Sequence, residues 1–133
     1  MIGILHMWPQ LIMKPSVMPW DLCRANSDLL KMIIRIVKME FEEAGIPDFL
    51  NIFSASRDLI RSFSGCMHLQ LLQGQADSCV FFTYSHWRDE VDLANYRSSE
   101  LFKEVWADTK KLFRAEPEAW SLTDQTEMVI NDQ

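Results

Sequence analysis

The sequence predicts an α+β fold of the ferredoxin-like type, with the element order β-α-β-β-α-β, an antiparallel sheet and both helices on one face of it. Two observations carry this prediction. Strand-like stretches at residues 33–41 and 66–73 flank a segment whose apolar residues recur at helical spacing. A third strand pattern follows after a short turn-rich connector and leads into a long run of helix formers and a last strand pattern. Alternation with period 2 and recurrence with period 3.6 separate the two kinds of element, and this order of them is the split β-α-β arrangement.

The first strand is Ile33-Ile-Arg-Ile-Val-Lys-Met-Glu-Phe41, rich in β-branched residues and followed by a Glu-Glu-Ala-Gly loop. The first helix is expected from about Pro47 to Phe63. Proline suits its first turn, Asp48 suits the positive pole, and Phe49, Phe53, Ile60 and Phe63 share a face. Ser64 and Gly65 end it. Cys66–Gln73 and Cys79–Trp87 read as an antiparallel hairpin closed by Gly74–Ser78. A second helix is expected from Asp89 to near Arg114, ahead of Pro117. The last strand begins at Trp120-Ser-Leu-Thr, with Glu127-Met-Val-Ile130 as its continuation.

The 133 residues, 48% of them hydrophobic, fit a single core. Residues 1–31 differ from the rest, since they hold Pro9, Pro15 and Pro19, and five of the eight methionines lie at or before Met32. They are expected to be a poorly ordered extension or the product of an over-long gene call, with Met32 as the initiator; residues 32–130 form the domain. Neither a signal peptide nor a membrane span is expected, because Pro9 and Gln10 interrupt the short apolar run and no basic residue precedes it. Three cysteines, Cys23, Cys66 and Cys79, form no CxxC pair. Reduced thiols and a cytoplasmic location are therefore expected. The net charge of −6 argues against nucleic acid or an anionic membrane as partner.

In the third strand both parities are apolar: Phe81, Thr83, Ser85 and Trp87 on one side, Val80, Phe82, Tyr84 and His86 on the other. Helices on one side cannot cover both, and a solvated face would alternate with polar residues. Burying a large apolar side chain contributes roughly 1.5–3 kcal/mol, so a second copy of the same sheet is the expected cover and the chain is expected to be a homodimer. The other possible cover is the N-terminal extension folded back.

The run Phe81-Phe-Thr-Tyr-Ser-His-Trp-Arg-Asp-Glu-Val-Asp-Leu-Ala-Asn-Tyr-Arg-Ser-Ser-Glu-Leu-Phe-Lys-Glu-Val-Trp106 resembles the signature of the antibiotic biosynthesis monooxygenase family. The likeness extends forward through Lys110-Lys-Leu-Phe113 to Pro117-Glu-Ala-Trp120 and back through Gly65-Cys-Met-His-Leu to the first strand, about two thirds of the chain. It implies a dimeric α+β barrel with a cavity in each subunit between sheet and helices. It also implies oxygenation of small aromatics such as quinols or polyketide-like rings, mostly without metal or flavin, and so no cofactor is expected. One branch of the family degrades haem with an Asn, a Trp and an axial His; the corresponding positions here are Val37, Trp87 and Trp106. Valine and indole replace neither the amide donor nor the imidazole ligand.

Trp87, Trp106, Tyr96 and Ser85 are the candidate lining of a pocket for a flat substrate, or else ordinary core between helix and sheet. Arg35 is a candidate counter-charge for an anionic substrate, or else the partner of a neighbouring carboxylate. With Gln73 paired near Cys79 or Val80, Cys66 falls opposite His86 and His68 opposite Tyr84. This cluster reads as a source of a catalytic base, with His68, His86 and Tyr84 as candidates, as a polar layer inside a dimer, or as a metal site of no standard zinc spacing. The function expected is a monooxygenase acting on a small aromatic. The competing expectation is a dimeric small-molecule-binding or structural module without catalysis.

Overall fold

Strand β1 (Ile33–Glu40) buries every second residue, Ile33, Arg35, Val37 and Met39, and takes the centre of the sheet. The computed structural model describes residues 31–126. Residues 1–30, Cys23 among them, and the expected strand continuation at 127–130 lie outside the described residues. Strand β1 pairs antiparallel with both β3 (Val80–Trp87) and β4 (Glu118–Leu122), and β3 pairs antiparallel with β2 (Cys66–Gln73). The strand order β2-β3-β1-β4 is that of a ferredoxin-like α+β fold, as the sequence predicts. Among the described residues the sheet is open, with β2 and β4 at its edges, and closes no barrel.

Helix α1 (Ile46–Arg61) has Pro47 in its first turn and follows a short 3-10 turn at Glu43–Gly45. It ends two residues short of Phe63, and the chain turns at Gly65, whose φ of +90° is natural only to glycine. Phe49 on α1 stacks on Phe41, ring centroids 4.1 Å apart, and both meet Phe81 of β3. Together with Val37, Met39 and Ala119 these rings form the main core under α1.

The helical run after β3 is not continuous. It forms α2 (Glu90–Arg97) and α3 (Glu100–Lys110), broken at Ser98-Ser99, and α3 stops four residues before Arg114. Serine explains the break: the Ser99 hydroxyl donates to the carbonyl of Tyr96 (2.6 Å) and accepts from the amide of Phe102 (3.1 Å), so one side chain ends one helix and caps the next. Asp89 caps α2 likewise, accepting from the Asp92 amide. Strand β4 begins at Glu118, two residues before Trp120.

The hairpin register also differs from the expected one. Gln73 faces Phe81, His68 faces His86, and Gln70 stands opposite Tyr84. A shift of two residues keeps each side chain on its face, so His68, Tyr84 and His86 still share one. Cys66 does not join them. A bulge between Cys66 and His68 sets Cys66 opposite Trp87, where it packs with Ile33, Trp87 and Leu93 in the core. Cys66 and Cys79 are buried and unbridged.

Candidate functional site

Between the helix-facing side of the sheet and the three helices lies a cavity of about 90 Å³. One water needs ~10–15 Å³ by the same measure, so the space has room for a small organic molecule. Strand alternation supplies its floor: Arg35, Val37 and Met39 from β1, and Thr83, Ser85 and Trp87 from β3. Helix α1 adds Phe49, Ile52, Phe53 and Ile60. Tyr96 and Arg97 come from α2, and Phe102, Val105, Trp106 and Thr109 from α3.

The walls are aromatic and held in place. Trp87 is almost wholly buried, its ring stacks on Tyr96 at 4.8 Å, and its indole N–H donates to the Ser85 hydroxyl at 3.0 Å. Phe102 stacks nearly parallel on Trp106 and meets Tyr96 edge-on. Burial, with a smaller contribution from Cys66, pushes the Tyr96 phenol well above its ordinary range, so it stays protonated.

The charged exceptions are two arginines. Arg35, only 3% exposed, donates from Nη1 to the Ser121 hydroxyl on β4 (2.8 Å). Burial and the charge of Arg97, partly offset by Glu90, push Arg35 down to about 9. Burial likewise pushes Arg97 down to about 10 against the opposing effect of Glu90. Arg35 thus lines the cavity and lies within electrostatic reach of one carboxylate, Glu90.

The five residues expected to bind a substrate, Trp87, Trp106, Tyr96, Ser85 and Arg35, all line this one cavity. The expected base does not. His68, His86 and Tyr84 form a cluster with ring centroids 5.0–6.0 Å apart, but strand parity puts them on the opposite face of the sheet from the cavity. The picture of either histidine taking a proton from a molecule beside Trp87 in the same chain is corrected accordingly. The separation follows from alternation: His86 neighbours both Ser85 and Trp87, and successive side chains point to opposite faces. His68 is engaged with the Gln70 side chain at 2.9 Å, and burial, then His68, lowers the pKa of His86. Among the described residues no group of three or more His, Cys, Asp or Glu side chains could hold a metal ion.

Arg97 was not expected at the site. Its signal was present, since Leu93, Tyr96 and Arg97 stand at i, i+3 and i+4 on the apolar stripe of α2.

Comparison with known proteins bears on the same residues. The family model described as antibiotic biosynthesis monooxygenase matches residues 32–108, more than half of the chain. The chain belongs to that family. No curated protein matches it in sequence. A conserved protein from Methanosarcina mazei Go1 superposes with a TM-score of 0.68 at 17% identity, covering 74% of this chain and 98% of its own. A structure described as an antibiotic biosynthesis monooxygenase gives 0.66 at 16% identity, covering 69% and 97%. A Mycobacterium tuberculosis protein gives 0.66 at 14%, covering 71% and 95%. At these identities the likeness is one of fold.

Within the family, the haem-degrading donor set does not fit this chain. Val37, Trp87 and Trp106 all line the cavity, yet Val37 has no hydrogen-bonding group and Trp106 offers no lone pair to iron.

Proposed function

We propose that the protein is a monooxygenase of the antibiotic biosynthesis monooxygenase family that oxygenates a small quinol or polyketide-like aromatic without a bound cofactor, acting as a homodimer in the cytoplasm. The observation that carries this reading is the aromatic-walled cavity, in which Trp87, Tyr96, Phe102 and Trp106 surround a space of ring size. One quinol and one O2 give a hydroxyquinone and one water, or one anthrone and one O2 give a quinone and one water, the substrate itself supplying the electrons. The protein's part is to hold the ring, exclude water and stabilise the anion that reacts with O2. The cytoplasmic setting is supported by two buried, unbridged cysteines, and no helix among the described residues is long and apolar enough to cross a membrane.

Oxygen consumption with a panel of quinols and anthrones tests the reading. Turnover is expected with at least one member and should fall at least about tenfold in Trp106→Ala, which opens the wall on α3. A silent panel would refute the oxygenase.

A second reading, a binding module without catalysis, is favoured by one observation. His68 and His86 lie across the sheet, and among the described residues none that lines the cavity is a histidine, aspartate or glutamate. That reading expects aromatic ligands to bind with no oxygen consumed.

A further inference from the structure

A cavity walled by hydrocarbon rings would ordinarily select neutral, apolar molecules, and guanidinium groups are costly to place in such surroundings. Yet Arg35 and Arg97 reach this cavity from two elements, β1 and α2. Their charges are close enough for Arg97 to disfavour the charged form of Arg35, while Glu90, from the first turn of α2, favours it on both. An anion between the two guanidiniums would relieve both their burial and their mutual repulsion.

Among the described residues, the cavity lining itself holds no histidine, aspartate or glutamate. Ser121 of β4 accepts from Arg35, Ser85 of β3 accepts from Trp87, and Thr109 of α3 donates to the Val105 carbonyl. Tyr96 is held protonated by burial. The lining from α1 is apolar.

Resting on the reading of this cavity as the substrate site, we propose that Arg35 and Arg97 make it selective for an aromatic ring bearing an anionic oxygen, a phenolate. The substrate enters after releasing its proton to solvent, and the two guanidiniums hold it ionised. A side-chain base is then unnecessary, which accounts for an aromatic cavity with His68 and His86 on the far side of the sheet. A guanidinium presents several N–H donors in a planar fork, so it can keep structural partners such as Ser121 and hold a ligand oxygen together.

The probe is 4-nitrophenol, colourless as the phenol and yellow as the phenolate, titrated spectrophotometrically with the full chain in excess. The bound dye should ionise at least about one pH unit below the free dye, equivalent to about tenfold tighter binding of the phenolate. Arg97→Met should abolish most of that shift while the dye still binds, and Arg97→Lys should keep most of it. Arg35→Met is the companion variant, read only after circular dichroism confirms its fold; Arg97, half-buried on α2, keeps the test decisive if Arg35→Met does not fold. A bound dye that ionises at or above the pH of the free dye overturns the proposal and leaves the cavity as a binding site for neutral rings. A dye that does not bind in either form overturns it too. A lowered ionisation with no oxygen consumption by any quinol supports anion selection and refutes the oxygenase, so the two readings fail separately.

Discussion

Gly65 illustrates how much one position can demand. Its φ of +90° lies where a side chain is strained, and a Cβ there would overlap the side chain of Asp92. Asp92 cannot simply retreat, because its carboxylate accepts from Arg88 Nε at 2.7 Å, while the Arg88 amide donates to the Gly65 carbonyl. Gly65→Ala is therefore expected to cost more than about 2 kcal/mol in urea denaturation, through strain and displacement of Asp92 together. A loss below about 0.5 kcal/mol would contradict this account. The turn itself was legible from Ser64-Gly65, whereas the contact with Asp92 depends on how α2 meets the end of β3.

At the scale of elements, strands and helices were legible wherever one periodicity ran unbroken. Strand β2 has the expected limits because Cys66–Gln73 is bounded by Gly65 and Gly74. The break at Ser98-Ser99 was not read, because Leu93, Tyr96, Leu101 and Phe102 keep an apolar stripe going across it. The deciding interaction is a local side-chain-to-backbone bond that periodicity does not register. Ser99→Ala removes both the cap of α3 and the bond that closes α2, and should lower stability by about 1 kcal/mol in urea denaturation. An unchanged midpoint would mean that the two helices are separated by packing alone. The bulge beside Met67 was illegible for a similar reason: one additional residue in a strand leaves alternation on either side intact but moves Cys66 to the other face.

Among the described residues, the whole sheet has two apolar faces, and helices α1 to α3 cover one. On the other, strand pairing aligns Ile34 and Ile36 with Leu122 and Trp120 on one side and with His86 and Tyr84 on the other, with Phe82 and Leu72 further along. Trp120, Leu122 and Leu72 are each about 40% exposed or slightly more. The proposed dimer places a second copy there. Light scattering should give twice the chain mass for the wild type and the single-chain mass for Phe82→Glu, which would bury a charge at the interface. A monomeric wild type at micromolar concentration would refute the dimer. Acid should weaken the fold from the same side. The folded-state pKa of His86 lies below the ordinary 6.5, through burial and then His68, so the stability from its neutral form is present above 6.5 and is lost as the pH falls through the lowered value. His86→Gln should flatten that decline in denaturation midpoints taken between pH 7 and pH 5, where the wild type should fall.

The joint between α2 and α3 also bears on how such a cavity can diverge. On the proposed reading, recognition of a charged oxygen falls to β1 and α2, whereas Phe102, Val105 and Trp106 on α3 form one wall around the ring. Because Ser98-Ser99 separates the two helices, substitutions along α3 can enlarge or narrow the slot while the arginine corner keeps its geometry. In the proposed site, size preference and charge preference would then rest on separate pieces of the chain, α3 for the one and β1 with α2 for the other.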